Sequence, residues 1–240
     1  MVCLGVPADI GEKGEKGNLK VTEKPQDSLQ MKFVLILSLL PLIGVFLVRK
    51  FFCDRVLKKY EGERVSLTGK ELAKRILKNG SKGPVEIEIK TRPFMILGPD
   101  RLVLSTRLAD SIKAKDVAEV GLMAGMVLMA QRQSNVVGWR LWAIKSGTAL
   151  PVFVALVASF SMFFLGVINS IAFVVLSLGF SVIVLALTTA VERAAAEVVS
   201  GVLNDSAIVP RQTEGEALAR LVKALSWKRI VPGAIGWLGR

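Results

Sequence analysis

The sequence contains no histidine, one tyrosine and two cysteines among its 240 residues. Without histidine there is no imidazole to hold a metal ion, to move a proton near neutral pH, or to activate a serine or cysteine nucleophile. Cys3 and Cys53 are far apart and form no CxxC pair, so neither a thiolate metal knuckle nor a disulfide framework is encoded. Cys53 follows a hydrophobic segment. S-palmitoylation is one reading of it, and a packed thiol is the plainer one. No glycine-rich phosphate loop and no internal repeat is present, and no nucleic-acid recognition motif accompanies the basic charge.

One further absence is local: from Ser146 to Val191 no residue carries a charge. A soluble core has no use for so long an uncharged run, whereas two membrane passes require about 40 such residues. Phe33–Val48 (FVLILSLLPLIGVFLV) supplies a third hydrophobic segment, extended by Phe51 and Phe52. No small-residue cleavage site follows it, so an anchor fits better than a secretory signal. Pro41 in its middle is tolerable where a neighbouring helix satisfies the freed backbone groups. The later passes are expected at Thr148–Ile168 and Ser170–Val191, with a tight turn near Gly166 and Asn169 and with Pro151 in the first turn of the second pass.

What the sequence has in excess is positive charge, 32 Lys and Arg against 20 Asp and Glu, a net +12. The bases gather beside the hydrophobic segments: Arg49, Lys50, Arg55, Lys58 and Lys59 after the first, Arg132, Arg140 and Lys145 before the second. That asymmetry predicts the N-terminus outside and the polar regions inside, as in a bacterial cytoplasmic (inner) membrane protein. The expected organisation is a tail at 1–30, disordered or preceding a true start at Met31, and an anchor at 31–52. A cytoplasmic domain at 53–147 and a transmembrane hairpin at 148–191 follow. Residues 192–240 complete the chain as cytoplasmic helices with an interfacial end at Trp227 and Ile230–Arg240. The predicted fold class is mainly α: three transmembrane helices with a small α+β cytoplasmic domain.

Within that domain LTGKELAKRILKNG (Leu67–Gly80) reads as a helix. Thr68 caps its first turn, Glu71 completes a capping box, and Asn79-Gly80 ends it. VEIEI (Val85–Ile89) alternates with period two, and RLVLS (Arg101–Ser105) follows the turn formers Gly98-Pro99-Asp100, which predicts a two-stranded sheet packed on the helix. The segment AEVGLMAGMVLMAQR (Ala118–Arg132) is helical in pattern, almost wholly apolar, and too short to span.

The ordered pieces LTGKELAKRIL, LVLS (Leu102–Ser105), the segment ending at Gln131, GWRLWAIKSGTALPVF (Gly138–Phe153) and TTAVERAAA (Thr188–Ala196) resemble the YugP-like membrane zinc metallopeptidases from about Met31 to Leu225. That family has an anchor, a capped helix, a short hairpin, a helix bearing the zinc-binding HExxH motif, and a transmembrane pair ending in a PVE-type motif. The resemblance implies a degenerate zincin. It places the two histidines at Ala124 and Leu128 and the catalytic glutamate at Gly125, none of which offers a metal ligand or a proton carrier. It also implies that Glu192 is a retained metal ligand or site residue. Read without the resemblance, Glu192 is an interfacial carboxylate paired with Arg193 or a basic residue of the cytoplasmic domain.

In the same segment Gly121 and Gly125 form a small-xxx-small spacing, and Met123, Met126 and Met129 recur at every third position. The ordinary account is a buried core helix. The sharper one is an interaction surface that receives a partner's segment.

Two functions follow. One is an inactive metallopeptidase homologue, without cofactor, acting as an interaction, scaffold or accessory protein. Its partners would be the bilayer and a membrane protein or a second copy, with no nucleic acid. The alternative is a membrane zinc metallopeptidase, as the resemblance implies, or a hydrolase of altered chemistry relying on Asp116, Glu119, Glu192 and Glu197. A transporter is disfavoured, since no charge lines the hairpin.

Overall fold

A computed structural model describes residues 36, 39–91, 98–165, 170–204 and 208–228; the side chains of 162–165 and 170–172 are not among those described. The tail at 1–30, the start of the first hydrophobic segment, the turn at Gly166–Asn169 and the C-terminal Ile230–Arg240 lie outside these residues.

The protein is mainly helical. Helix α1 runs over 39–48, continues through a π-helical turn at Arg49–Asp54, and ends as α-helix at Arg55–Lys59. Then come α2 (Gly69–Gly80), β1 (Glu86–Lys90), β2 (Arg101–Ser105), the short α3 (Thr106–Ala109), α4 (Ala114–Arg132), α5 (Ser134–Leu165), α6 (Ser170–Leu203) and α7 (Gln212–Leu225). Two of these, α5 and α6, are long and apolar enough to cross a membrane, over Ser134–Ser161 and Phe173–Leu203. They pack against each other as an antiparallel pair. The described part of α1 lies beside α6, where Leu42 and Val45 pack with Val182 and Leu178.

Helix α2 forms for the local reasons its sequence declares. The Thr68 hydroxyl accepts from the Glu71 backbone N–H at 3.3 Å, and the Glu71 carboxylate accepts from the Thr68 N–H at 2.9 Å, a complete capping box. These bonds from Thr68 hold the Glu71 carboxyl below the usual carboxylate range. Gly69 is required by space, because a Cβ there would strike the Leu108 carbonyl oxygen.

The sheet differs from the hairpin that the family resemblance implies. β1 and β2 are parallel, with Glu86 opposite Arg101 and Lys90 opposite Ser105. A turn closed by Gly98 N–H to Arg101 O (3.2 Å) leads into β2. The sheet rests chiefly on α3 and α4 through β2, whose Leu102, Val103 and Leu104 are buried, while β1 is the half-exposed edge.

Helix α4 is the centre of the polar domain. It packs against α2, α5, α6 and α7, and its apolar residues face all round because there are neighbours all round. The C-terminal third of α6 enters the same core through Val191, Ala195, Val199 and Leu203. One helix thus passes from an exposed apolar stretch, with Phe173, Phe180 and Leu187 on its surface, into the interior of the polar domain.

Pro151 does not lie in a first turn. Helix α5 begins at Ser134, so the proline is well inside it and removes the N–H that Gly147 O would accept. The carbonyl is satisfied from the neighbouring helix instead: the buried Ser181 hydroxyl of α6 donates to Gly147 O. The helices come that close because residue 147 has no side chain; a Cβ there would lie 3.1 Å from Leu185 Cγ and 3.3 Å from Ser181 Oγ.

Ser181→Ala is expected to destabilise the protein by about 1–3 kcal/mol, the cost of an unsatisfied buried carbonyl. In a Pro151→Ala background, where residue 151 regains its N–H, the same change should cost clearly less. Thermal unfolding of the four proteins in detergent measures the coupling, and additive effects would refute the account.

Candidate functional site

The charged pair Arg140–Glu192 is the most unusual polar feature of the described residues. Arg140, on the second turn of α5, and Glu192, on α6, are each at most 1 % exposed, and the guanidinium Nη2 donates to Glu192 Oε1. Burial of this kind is tolerable only because the charges meet; a lone one would be costly. Glu192 is therefore not the exposed interfacial carboxylate expected from the sequence, and its partner is not the adjacent Arg193. Successive helical residues point about 100° apart, so Arg193 is turned outward, where its guanidinium lies 5.3 Å from the centre of the Trp227 ring. A basic residue of the domain, Arg140, takes the role.

Beside the pair is a cavity of about 20 Å³, bounded by Arg140, Glu119, Met123, Met126 and Lys228. That is room for one water molecule, which needs roughly 10–15 Å³. Lys228 Nζ donates to Glu119 Oε2 at 3.2 Å across its rim.

The positions that the resemblance singles out lie elsewhere on α4. Leu128 points toward α2, where a Cβ on Gly80 would lie 2.8 Å from Leu128 Cδ1. Ala124 is fully buried one turn earlier on the same face, turned about 100° from Met123 and about 160° from Met126 around the helix. Gly125 faces α6, where an added Cβ would collide with Val199 and lie 2.8 Å from Ala195 O. Gly121 faces Leu72, Val199 and Val222. Gly125 thus makes a close approach to α6, whereas a Cβ on Gly121 would meet its neighbours only at ordinary contact distances, 3.5 Å or more. Met126 is buried, and Met123 and Met129 are half-buried against the same core. Gln131 accepts a hydrogen bond from the Lys82 backbone N–H at 3.0 Å, tying the end of α4 to the segment after α2.

The four acids considered for an altered chemistry do not converge. Asp116 accepts from the Ser111 hydroxyl at 2.9 Å, Glu119 pairs with Lys228, Glu192 with Arg140, and Glu197 is exposed. Among the described residues no three His, Cys, Asp or Glu side chains are placed to hold a metal ion together. Cys53 is fully buried in the π-turn, and burial, followed by the nearby Asp54 charge, pushes its thiol up to about 11. Such a thiol is protonated at neutral pH and a poor nucleophile. Glu214, whose carboxylate accepts from the Ser66 N–H at 3.1 Å and from its hydroxyl at 2.6 Å, fastens α7 to the loop before α2. Burial pushes its carboxyl up, but the Ser66 bonds and Arg211 outweigh it and hold it below the usual range.

The sequence could not have announced the Arg140–Glu192 pair, because the partners are joined only by the hairpin's return. The signal available was a charged residue at each base of a long apolar run. No protein-family model, curated protein or solved structure matches the chain.

Two outcomes test this geometry. Removing one partner, as in Arg140→Met, should cost about 3–5 kcal/mol, whereas Arg140→Met with Glu192→Leu should recover most of the loss. Denaturant unfolding in detergent reads both, and a double variant as unstable as the single one would contradict a simple ion pair. Gly125→Ala should destabilise through its clash with the Ala195 carbonyl. Gly201→Ala, on α6 with nothing within 4 Å, should stabilise by about 0.5–1 kcal/mol. Melting temperatures that move the same way for both would contradict the packing.

Proposed function

We propose that the chain is a catalytically silent, membrane-embedded relative of metallopeptidases that acts by contact, as a scaffold or accessory subunit for another membrane protein. The observation that carries this reading is the filling of positions 124, 125 and 128 by Ala, Gly and Leu, packed against the chain's own α2 and α6. A methyl group, a hydrogen atom and an isobutyl group leave no ligand for zinc and no group to activate water. The absence of histidine from the whole chain removes the usual replacement.

Insertion in a bilayer is supported by the lengths of α5 and α6 and by where the exposed large apolar side chains gather. They lie on α1 (Leu40, Ile43, Leu47), α5 (Phe153, Leu156) and α6 (Ile183). With α1 as a third pass beside α6, the basic clusters after α1 and before α5 favour the cytoplasmic side for the polar domain. The outward faces of α5 and α6 then meet lipid or a partner's helices, while the methionine and glycine face of α4 serves the chain's own core.

The decisive experiment purifies the full chain from its membrane in mild detergent. The purified protein is examined for bound zinc, for cleavage of casein and peptides, and for co-purifying membrane proteins. A stable partner with neither zinc nor cleavage is expected. Stoichiometric zinc with chelator-sensitive cleavage would overturn the proposal.

A further inference from the structure

A second concavity lies outside the region just described, where α1 leaves its apolar stretch and α7 crosses beneath it. It has a volume of about 350 Å³ and two kinds of wall. Phe52, Val56 and Trp227 form an apolar side, with the Phe52 and Trp227 rings stacked at 5.5 Å between centres. Lys59, Arg220 and Lys223 form a cationic side. Arg220 and Lys223 are three positions apart on α7 and so share a face. All three cations are exposed. Glu216 Oε2 lies 3.9 Å from Arg220, and both side chains are exposed.

We propose that this groove holds an anionic phospholipid. Its phosphate headgroup would lie among Lys59, Arg220 and Lys223, and its first acyl carbons against Phe52, Val56 and Trp227. The charge complementarity is that of a diacyl phosphate ester: three positive groups at one end, hydrocarbon at the other. The apolar end is continuous with the exposed face of α1 through Leu47, Phe51 and Phe52, so a lipid reaches the site without leaving the apolar layer. The volume is within the range of small-molecule sites, about 300–1,000 Å³. Basic side chains near a membrane surface each contribute attraction to anionic lipid. Bound there, the lipid would clamp α7 to the end of α1 and fix the polar domain's height against the bilayer. The inference rests on the membrane reading above.

The test uses the full chain in detergent micelles, titrated with phosphatidylglycerol or phosphatidylcholine and followed by native mass spectrometry. Alkaline carbonate extraction of the source membranes runs alongside it. Retention of phosphatidylglycerol in preference to phosphatidylcholine is expected, as is a roughly thirtyfold weaker affinity for Arg220→Gln/Lys223→Gln. Lys59→Gln, the cation supplied by α1, should weaken binding as well. The control pair Lys74→Gln/Lys78→Gln, on the exposed face of α2, should change it less than twofold. Equal loss in the control, no headgroup preference in the wild type, or a dimer that the groove variants abolish would each overturn the lipid assignment. Release of the wild type by carbonate would instead defeat the membrane reading itself.

Discussion

Two opposite charges meet out of water where α5 and α6 begin to diverge into the polar domain, and the placement of everything above and below follows from their meeting. Arg140 and Glu192 can satisfy each other in one register of the two helices only. A slip by a turn would bury each charge alone, a loss of several kcal/mol out of a total stability that is itself marginal. About two turns along, Gly147 and Leu185 meet in the same antiparallel register, and Ser181 supplies the bond that Pro151 withholds. A charge contact near one end and a backbone contact further along thus keep a pair of long, chemically monotonous helices from sliding. Leucine and valine alone would be nearly indifferent to such a slip.

The glycine and methionine spacings of α4 have a physical reason. A helix with neighbours on every side needs small residues where backbones approach and adaptable ones where gaps remain, and the glycine and methionine spacings supply both. The residues of the neighbouring elements also have folding roles. Thr68 and Glu71 close the first turn of α2, Gly69 admits the Leu108 carbonyl, and the Ser105 hydroxyl accepts from the Leu108 N–H at the start of α3. Those residues hold the structure together.

Much of this was legible in the sequence wherever the determinant is local. The capping box, the boundaries of α2 and β2, and the apolar hairpin are written within a few residues of where they act. Non-local determinants were not legible. The pairing of Glu192 with Arg140 rather than Arg193 depends on which faces the two helices turn to each other. The parallel sense of the sheet, with Glu86 opposite Arg101, is a pairing that the alternation within each strand does not specify. Pro151 looked like a helix start because a proline before an apolar run usually is one. Only the Ser181 hydroxyl, thirty residues further on and in the next helix, shows why it can sit inside a helix. The basic groove was missed for the same reason: Lys59 and Arg220 come together only when α1 and α7 cross.

Helix α6 runs unbroken from its exposed apolar surface into the centre of the polar domain, with no glycine-proline hinge between Ser170 and Leu203. An α-helix of that length is stiff. If its first half crosses a bilayer as proposed, a change in hydrocarbon thickness that alters the helix's tilt would be carried into the contacts of Ala195 and Val199 with α4 rather than absorbed at a joint. The polar domain would then feel the membrane's thickness directly, as a lever arm feels the angle of its shaft.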